Sequence, residues 1–180
     1  MATSFLKRSG LLLGLLLGVA PLAAEPLSPS DLNHLQIRHH QEHFLVETYF
    51  ETEPGLTNTF GYQFDTSLTP QIDLILSIFG AIGGNRGGYG IAAVGLGYHT
   101  PIWNTVAWHY RASVGSGGGG GLPAGGGLVV KAETGLWIPL MDTLCVDLDV
   151  GYLTYPTGSF GSTTVSLGIS VGHSSLFLPF

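Results

Sequence analysis

The sequence predicts an all-β fold: a single antiparallel up-and-down transmembrane β-barrel of about eight strands. Three observations predict it. Mean hydropathy is positive, at +0.34, while charged residues make up only 10% of the 180, against about 25% in soluble domains. No run reaches the roughly 18 uninterrupted apolar residues that a spanning helix needs. The apolar residues instead recur at every second position, as in TTVSLGISVG near the C-terminus. A chain of this kind can satisfy its backbone in a bilayer when its strands close on one another.

The N-terminus reads as an export signal. Lys7 and Arg8 form a basic start, GLLLGLLLGVA from Gly10 is a short apolar core, and PLAA offers small residues for cleavage after Ala24. Residues 1–24 are therefore expected to be a signal peptide. Residues 25–42 are expected to form a periplasmic leader, with a short helix starting near Ser30 and Asp31 as one option, and 43–180 to form the barrel. Cys145 is the only cysteine, which excludes an intrachain disulfide and a thiolate metal cluster. Without Lys7 and Arg8 the net charge falls from −6 to −8 with His neutral. Such a balance argues against nucleic acid as a partner.

Eight runs carry the two-residue alternation of strands: 43–51, 58–66, 72–80, 89–99, 105–115, 128–138, 143–155 and 162–178. The connections alternate between Gly-rich segments (EPGLTN, AIGGNRGG, GSGGGGGLPAGGG, PTGSFG) and short Pro-bearing ones (DTSLTPQ, TPIWN, PLMD). Pro70-x-x-Asp73, Pro101-x-x-Asn104 and Pro139-x-x-Asp142 read as one tight turn used three times. The low-complexity stretch GSGGGGGLPAGGG is expected to be flexible.

The two faces of the strands separate by charge. In the seventh run Leu144, Val146, Leu148 and Val150 share one parity, and Cys145, Asp147, Asp149 and Gly151 the other. Val130, Ala132 and Leu136 oppose Lys131, Glu133 and Gly135 in the sixth, and Val106, Trp108 and Tyr110 oppose His109 and Arg111 in the fifth. A Lys or Arg facing lipid at mid-depth costs roughly 2–4 kcal/mol, so the charged parity is assigned to the lumen. Tyr98, Trp103, Tyr152 and Tyr155 are expected in outward aromatic belts, with Trp137 on the inward parity close to a rim. His109, Arg111, Lys131, Glu133, Asp147 and Asp149 are the candidate site, a lumen charge cluster to which Glu47, Glu51, Gln63 and Asp65 add. Buried charges must pair, so this cluster reads first as a plug and second as a narrow ion or proton path.

The signal peptide, the eight alternating runs and the terminal Phe180 resemble the small eight-stranded outer-membrane barrels of the OmpA-transmembrane-domain and OmpX type. The resemblance covers roughly 43–180 and is architectural. It implies residence in the outer membrane of a Gram-negative bacterium, among outer-membrane lipid and lipopolysaccharide, and a monomeric state. It also implies that Phe180 is the signal read by the barrel assembly machinery, although Pro179 departs from the usual pattern.

Two further groups could carry chemistry. His39 and His43, four apart, and His40 and His43, three apart, have the spacing of metal ligands on a helix, but a disordered or loosely helical polar leader is the first reading of this stretch and metal binding the second. Some small outer-membrane barrels modify lipid A, and His173-Ser174-Ser175 is the His–Ser neighbourhood that such an enzyme would need; no His-x-Ser-Asn run like the deacylase motif is present. The expected function is a non-enzymatic structural or interaction role in the cell envelope, with no cofactor, no bound metal and no catalytic residue. A lipid A-modifying enzyme and a narrow ion or proton channel are the alternatives.

Overall fold

The computed structural model describes residues 36–51, 55–103 and 106–177. The expected signal peptide, the helix start at Ser30 and Asp31, Asn104, Pro179 and Phe180 lie outside them. Eight strands follow one another: β1 Gln36–Phe50, β2 Leu56–Ser67, β3 Ile72–Gly84, β4 Gly90–Pro101, β5 Ala107–Gly118, β6 Leu128–Met141, β7 Leu144–Thr154 and β8 Gly161–Phe177. Each pairs with its sequence neighbours and the sheet closes into a barrel. Side chains cross the closing seam in register, with Gln41 Nε2 donating to Ser170 Oγ at 2.9 Å and Ser162 Oγ to the Phe50 carbonyl at 3.1 Å. Closure leaves no strand edge unpaired, which a membrane requires.

Alternation sets the two faces as the sequence predicts. Val94, Leu96, Tyr110, Val114, Val130, Leu148, Val150, Val165, Leu167 and Ile169 point outward and are exposed, while Asp147, Asp149, Lys131, His109 and Arg111 are buried inside. In β8 the even positions Ser162, Thr164, Ser166 and Ser170 line the interior.

Four expectations fail, each for a local reason. β1 begins at Gln36, not at His43, so the stretch read as leader or helix is partly strand. Polar residues occupy both faces there and mask the alternation, yet the ladder runs on through His40↔Thr66 and Gln41↔Asp65. The three Pro motifs are not one repeated turn. Pro70 lies in the β2–β3 connection, Pro101 ends β4, and Pro139 sits inside β6 beside an irregularity in its pairing with β7. A residue without an N–H is tolerated at strand ends and bulges.

The Gly-rich β5–β6 connection is folded rather than loose. Gly117 N–H donates to the Gly127 carbonyl, Leu122 N–H to Gly119, Gly127 N–H to Ala124, and Ser159 N–H to Pro123 in the neighbouring loop. Gly125 carries a φ of 58° and lies so close to the Thr157 carbonyl that no Cβ would fit. Here glycine supplies conformation and clearance, not floppiness.

The interior has two zones. Toward the end with the short turns it is polar. Toward the end with the long loops it is apolar: Tyr49, Phe79, Ile91, Val129 and Leu153 from the strands meet Tyr89, Leu122, Tyr155 and Phe160 from the loops. Tyr155, expected in an outward belt, is instead turned inward at 1% exposure, because it follows the end of β7 and packs edge-on against Phe160. Its hydroxyl donates to that of Tyr89 at 3.2 Å.

Candidate functional site: the charged lumen

Strand register brings the candidate residues together. Arg111 on β5 stands directly opposite Glu133 on β6. His109 opposes Gly135, and Gly135 opposes Asp149 on β7. Gly135 thus lies between a base and an acid and has no side chain to separate them. A Cβ there would strike both Asp149 Oδ1 and His109 Nε2. His109 Nε2 and Asp149 Oδ1 hydrogen-bond across that gap, and Ser166 Oγ donates to the other Asp149 oxygen at 3.2 Å.

Arg111 is the hub. Its Nη1 is 3.4 Å from Glu133 Oε1 and 3.5 Å from Asp149 Oδ1, and its Nη2 is 3.9 Å from Asp65 Oδ2. Its guanidinium also faces the Trp137 ring, 5.4 Å from the centroid. Lys131 is shared between Glu133 and Glu47, with Nζ 3.0 Å from Glu47 Oε1, and lies over the Phe79 ring at 4.6 Å. The structure therefore places all six residues of the expected cluster in the lumen, but not in one contact group: Asp147 meets His43 rather than Arg111 or Lys131.

His43 opens the first strand expected from the sequence and is also one of the three histidines with metal-ligand spacing. It is fully buried, with Nε2 3.2 Å from Asp65 Oδ2 and Nδ1 3.4 Å from Asp147 Oδ1. Gln63 Nε2 donates to Asp65 at 2.9 Å. Glu47, Gln63 and Asp65 belong to this interior, whereas Glu51 leaves it and pairs with Arg86 at the loop end at 2.9 Å. Nearer the short turns, His99 Nδ1 lies 2.9 Å from Asp73 Oδ2, and Ser67 Oγ donates to Asp73 Oδ1 at 2.9 Å. The Trp137 ring packs among His43, His99 and His109 at centroid distances of 5.9, 5.1 and 4.9 Å.

A serine nucleophile needs a histidine base, and the base needs an orienting acid. Ser67 donates to the carboxylate instead of to the histidine. Ser175 Oγ meets His40 Nε2 at 2.7 Å, but His40 Nδ1 has no hydrogen-bond partner among the described residues. Ser174 Oγ lies 2.9 Å from His39 Nδ1, and His173 stacks on His40. The metal spacing dissolves for a geometric reason. On a strand His39 and His43 share the inward parity, while His40 points outward onto Phe64 and His173. Among the described residues no group of three or more metal-ligating side chains converges.

Toward the long loops the interior is filled by buried apolar side chains. Leu122 descends from the folded Gly loop onto Tyr89, Tyr155 and Phe160. Burial pushes the Tyr89 and Tyr155 phenols above the usual tyrosine range, so both remain neutral hydrogen-bonding groups in this plug. Arg86 clasps it from outside, bonding Glu51 and the Gly121 carbonyl and lying over the Phe160 ring at 5.9 Å.

Comparison with solved structures identifies the class that this architecture defines. The N-terminal β-barrel domain of OprF from Pseudomonas aeruginosa superposes with a TM-score of 0.58 at 13% identity, over 75% of this chain and 97% of that domain. Neisserial surface protein A gives 0.52 at 10% identity, over 76% and 98%. Ail, the attachment invasion locus protein of Yersinia pestis, gives 0.51 at 13% identity, over 76% and 98%. The fold is therefore that of the small eight-stranded transmembrane barrels, as the OmpA and OmpX resemblance implies. No protein-family model matches the chain, and no curated protein sequence does.

Proposed function

We propose that the protein is a sealed, non-enzymatic barrel of the Gram-negative outer membrane, with a structural or interaction role in the envelope rather than a solute-conducting one. The observation that carries this reading is the apolar plug of Tyr89, Leu122, Tyr155 and Phe160 closing the lumen above the charge cluster. An eight-stranded barrel is just wide enough for side chains to fill. Here the filling is layered: interlocked ion pairs below, interlocked rings above. The likeness to outer-membrane barrels supports the location. The long-loop end would face outward, following the usual short-turn and long-loop asymmetry.

Planar-bilayer recording tests the seal. Reconstituted protein should give no conductance steps above the empty membrane, while Leu122→Gly combined with Phe160→Ala should introduce them. Steady conductance by the unaltered protein would overturn the proposal in favour of a narrow channel. A changed lipid A acylation pattern on overexpression, abolished by His99→Ala or His173→Ala, would overturn it in favour of an enzyme.

A further inference from the structure

The β5–β6 connection is a stiff tip carried on two glycine arms. From Gly119 to Gly127 the residues with side chains are Leu122, Pro123 and Ala124; the other six are glycine. Pro123 stiffens the tip by fixing its φ, and Leu122 and Ala124 on either side of it are buried, at 8 and 9% exposure. Glycine loses more conformational freedom on ordering than any other residue, so fixing this segment in one place carries a large entropic cost. Two small buried side chains offset that cost with little apolar area, since one of them is alanine. Such a segment opens readily unless something else fastens it.

Its fastenings fall on two sides. On one side the β7–β8 connection holds the tip and the second arm: Ser159 N–H donates to the Pro123 carbonyl at 3.1 Å, and Gly126 N–H to Thr157 Oγ1 at 3.0 Å. On the other side stands Arg86, from the β3–β4 connection. Its Nη1 donates to the Gly121 carbonyl at 3.2 Å, while its Nε and Nη2 each lie 2.9 Å from Glu51 Oε2. Thr57 Oγ1 donates to the other Glu51 oxygen at 2.7 Å. One guanidinium thus ties the first glycine arm to the ends of β1 and β2. We propose that residues 119–127 form a hinged lid at the long-loop mouth, with the β7–β8 connection as its hinge and the Arg86–Glu51 pair as its latch. Release of the latch lets Leu122 swing out and uncovers the interior as far as Val129. A latched lid differs from a plug held by packing, because its closure depends on one guanidinium and one carboxylate.

The inference rests on the sealed reading of this end, and the test separates the two. Val129 is 1% exposed and lies in the cluster that Leu122 joins. In a Cys145→Ser background, Val129→Cys would be labelled in vesicles with a charged methanethiosulfonate. Faster migration of unboiled samples on a denaturing gel would verify a closed barrel in each variant. Labelling should go slowly to completion in the folded barrel, and at least tenfold faster once Arg86→Met is added. Glu51→Gln, which leaves Arg86 in place, should speed it at least threefold and serves if the Arg86 variant does not close. Unchanged rates in Arg86→Met and Glu51→Gln, with Leu122→Gly accelerating, would overturn the latch in favour of a plug held by packing. Failure of every folded variant to label would overturn the lid itself. Conductance steps from the unaltered protein, with position 129 still slow to label and faster in Arg86→Met, would instead remove the sealed reading and leave the lid standing.

Discussion

Single residues decide whether the lumen charges are tolerable. Lys131 holds two carboxylates, Glu47 and Glu133, in a buried setting. Replacing one partner of a buried ion pair strands the other, at a cost of about 3–5 kcal/mol. Lys131→Met should therefore lower the urea-unfolding stability of the vesicle-inserted barrel by about that amount. The double replacement Lys131→Met with Glu47→Leu should recover part of it, because the stranded charge goes with its partner. Equal losses in the single and double variants would show that the pair contributes nothing specific. Gly135 is a stricter case. Its missing side chain lets His109 reach Asp149, so Gly135→Val should separate them and destabilise the barrel more than Gly83→Val, where a Cβ meets open space. Unfolding midpoints of the two variants compare them directly.

Elements show the same logic at the next scale up. The stretch GSGGGGGLPAGGG has the composition of a linker, yet backbone bonds across the loop and to the β7–β8 connection hold it, and Leu122 anchors it in the mouth. It should resist protease in the folded barrel. Gly125→Val, at a positive φ against the Thr157 carbonyl, should open it to cleavage without unfolding the strands. Cleavage of the unaltered loop at the rate of the unfolded chain would contradict the folded assignment. On β8 the alternation is uniform, so Leu167→Arg on the lipid face should cost roughly 2–4 kcal/mol. Ser166→Ala should instead remove only the hydroxyl's bond to Asp149, about 1 kcal/mol.

For the whole molecule, closure predicts that unboiled samples from outer membranes migrate faster than boiled ones on a denaturing gel. Absence of that shift, with the protein soluble in the periplasm, would argue against an inserted barrel. Much of this architecture was legible in advance. Period-two alternation is a local property of a strand, so strand number, lipid face and lumen face could be read for β5 to β8 without any tertiary information. The inward parity of Arg111, Lys131, Glu133, Asp147 and Asp149 came with it. The histidine-rich start of β1 was not legible, because its two faces are both polar and alternation carries no signal there. Nor could parity say which charges touch. Whether Asp147 meets Arg111 or His43, whether His109 reaches Asp149 across a glycine, and whether a run of glycines is a linker or a lid depend on the register between strands far apart in sequence and on the curvature that closes the sheet. The sequence by itself determined a barrel and its two faces, since each residue's face depends only on its neighbours along one strand. The ion pairs and the apolar packing at the long-loop end were decided only when eight strands closed around one interior and their side chains competed for the same space.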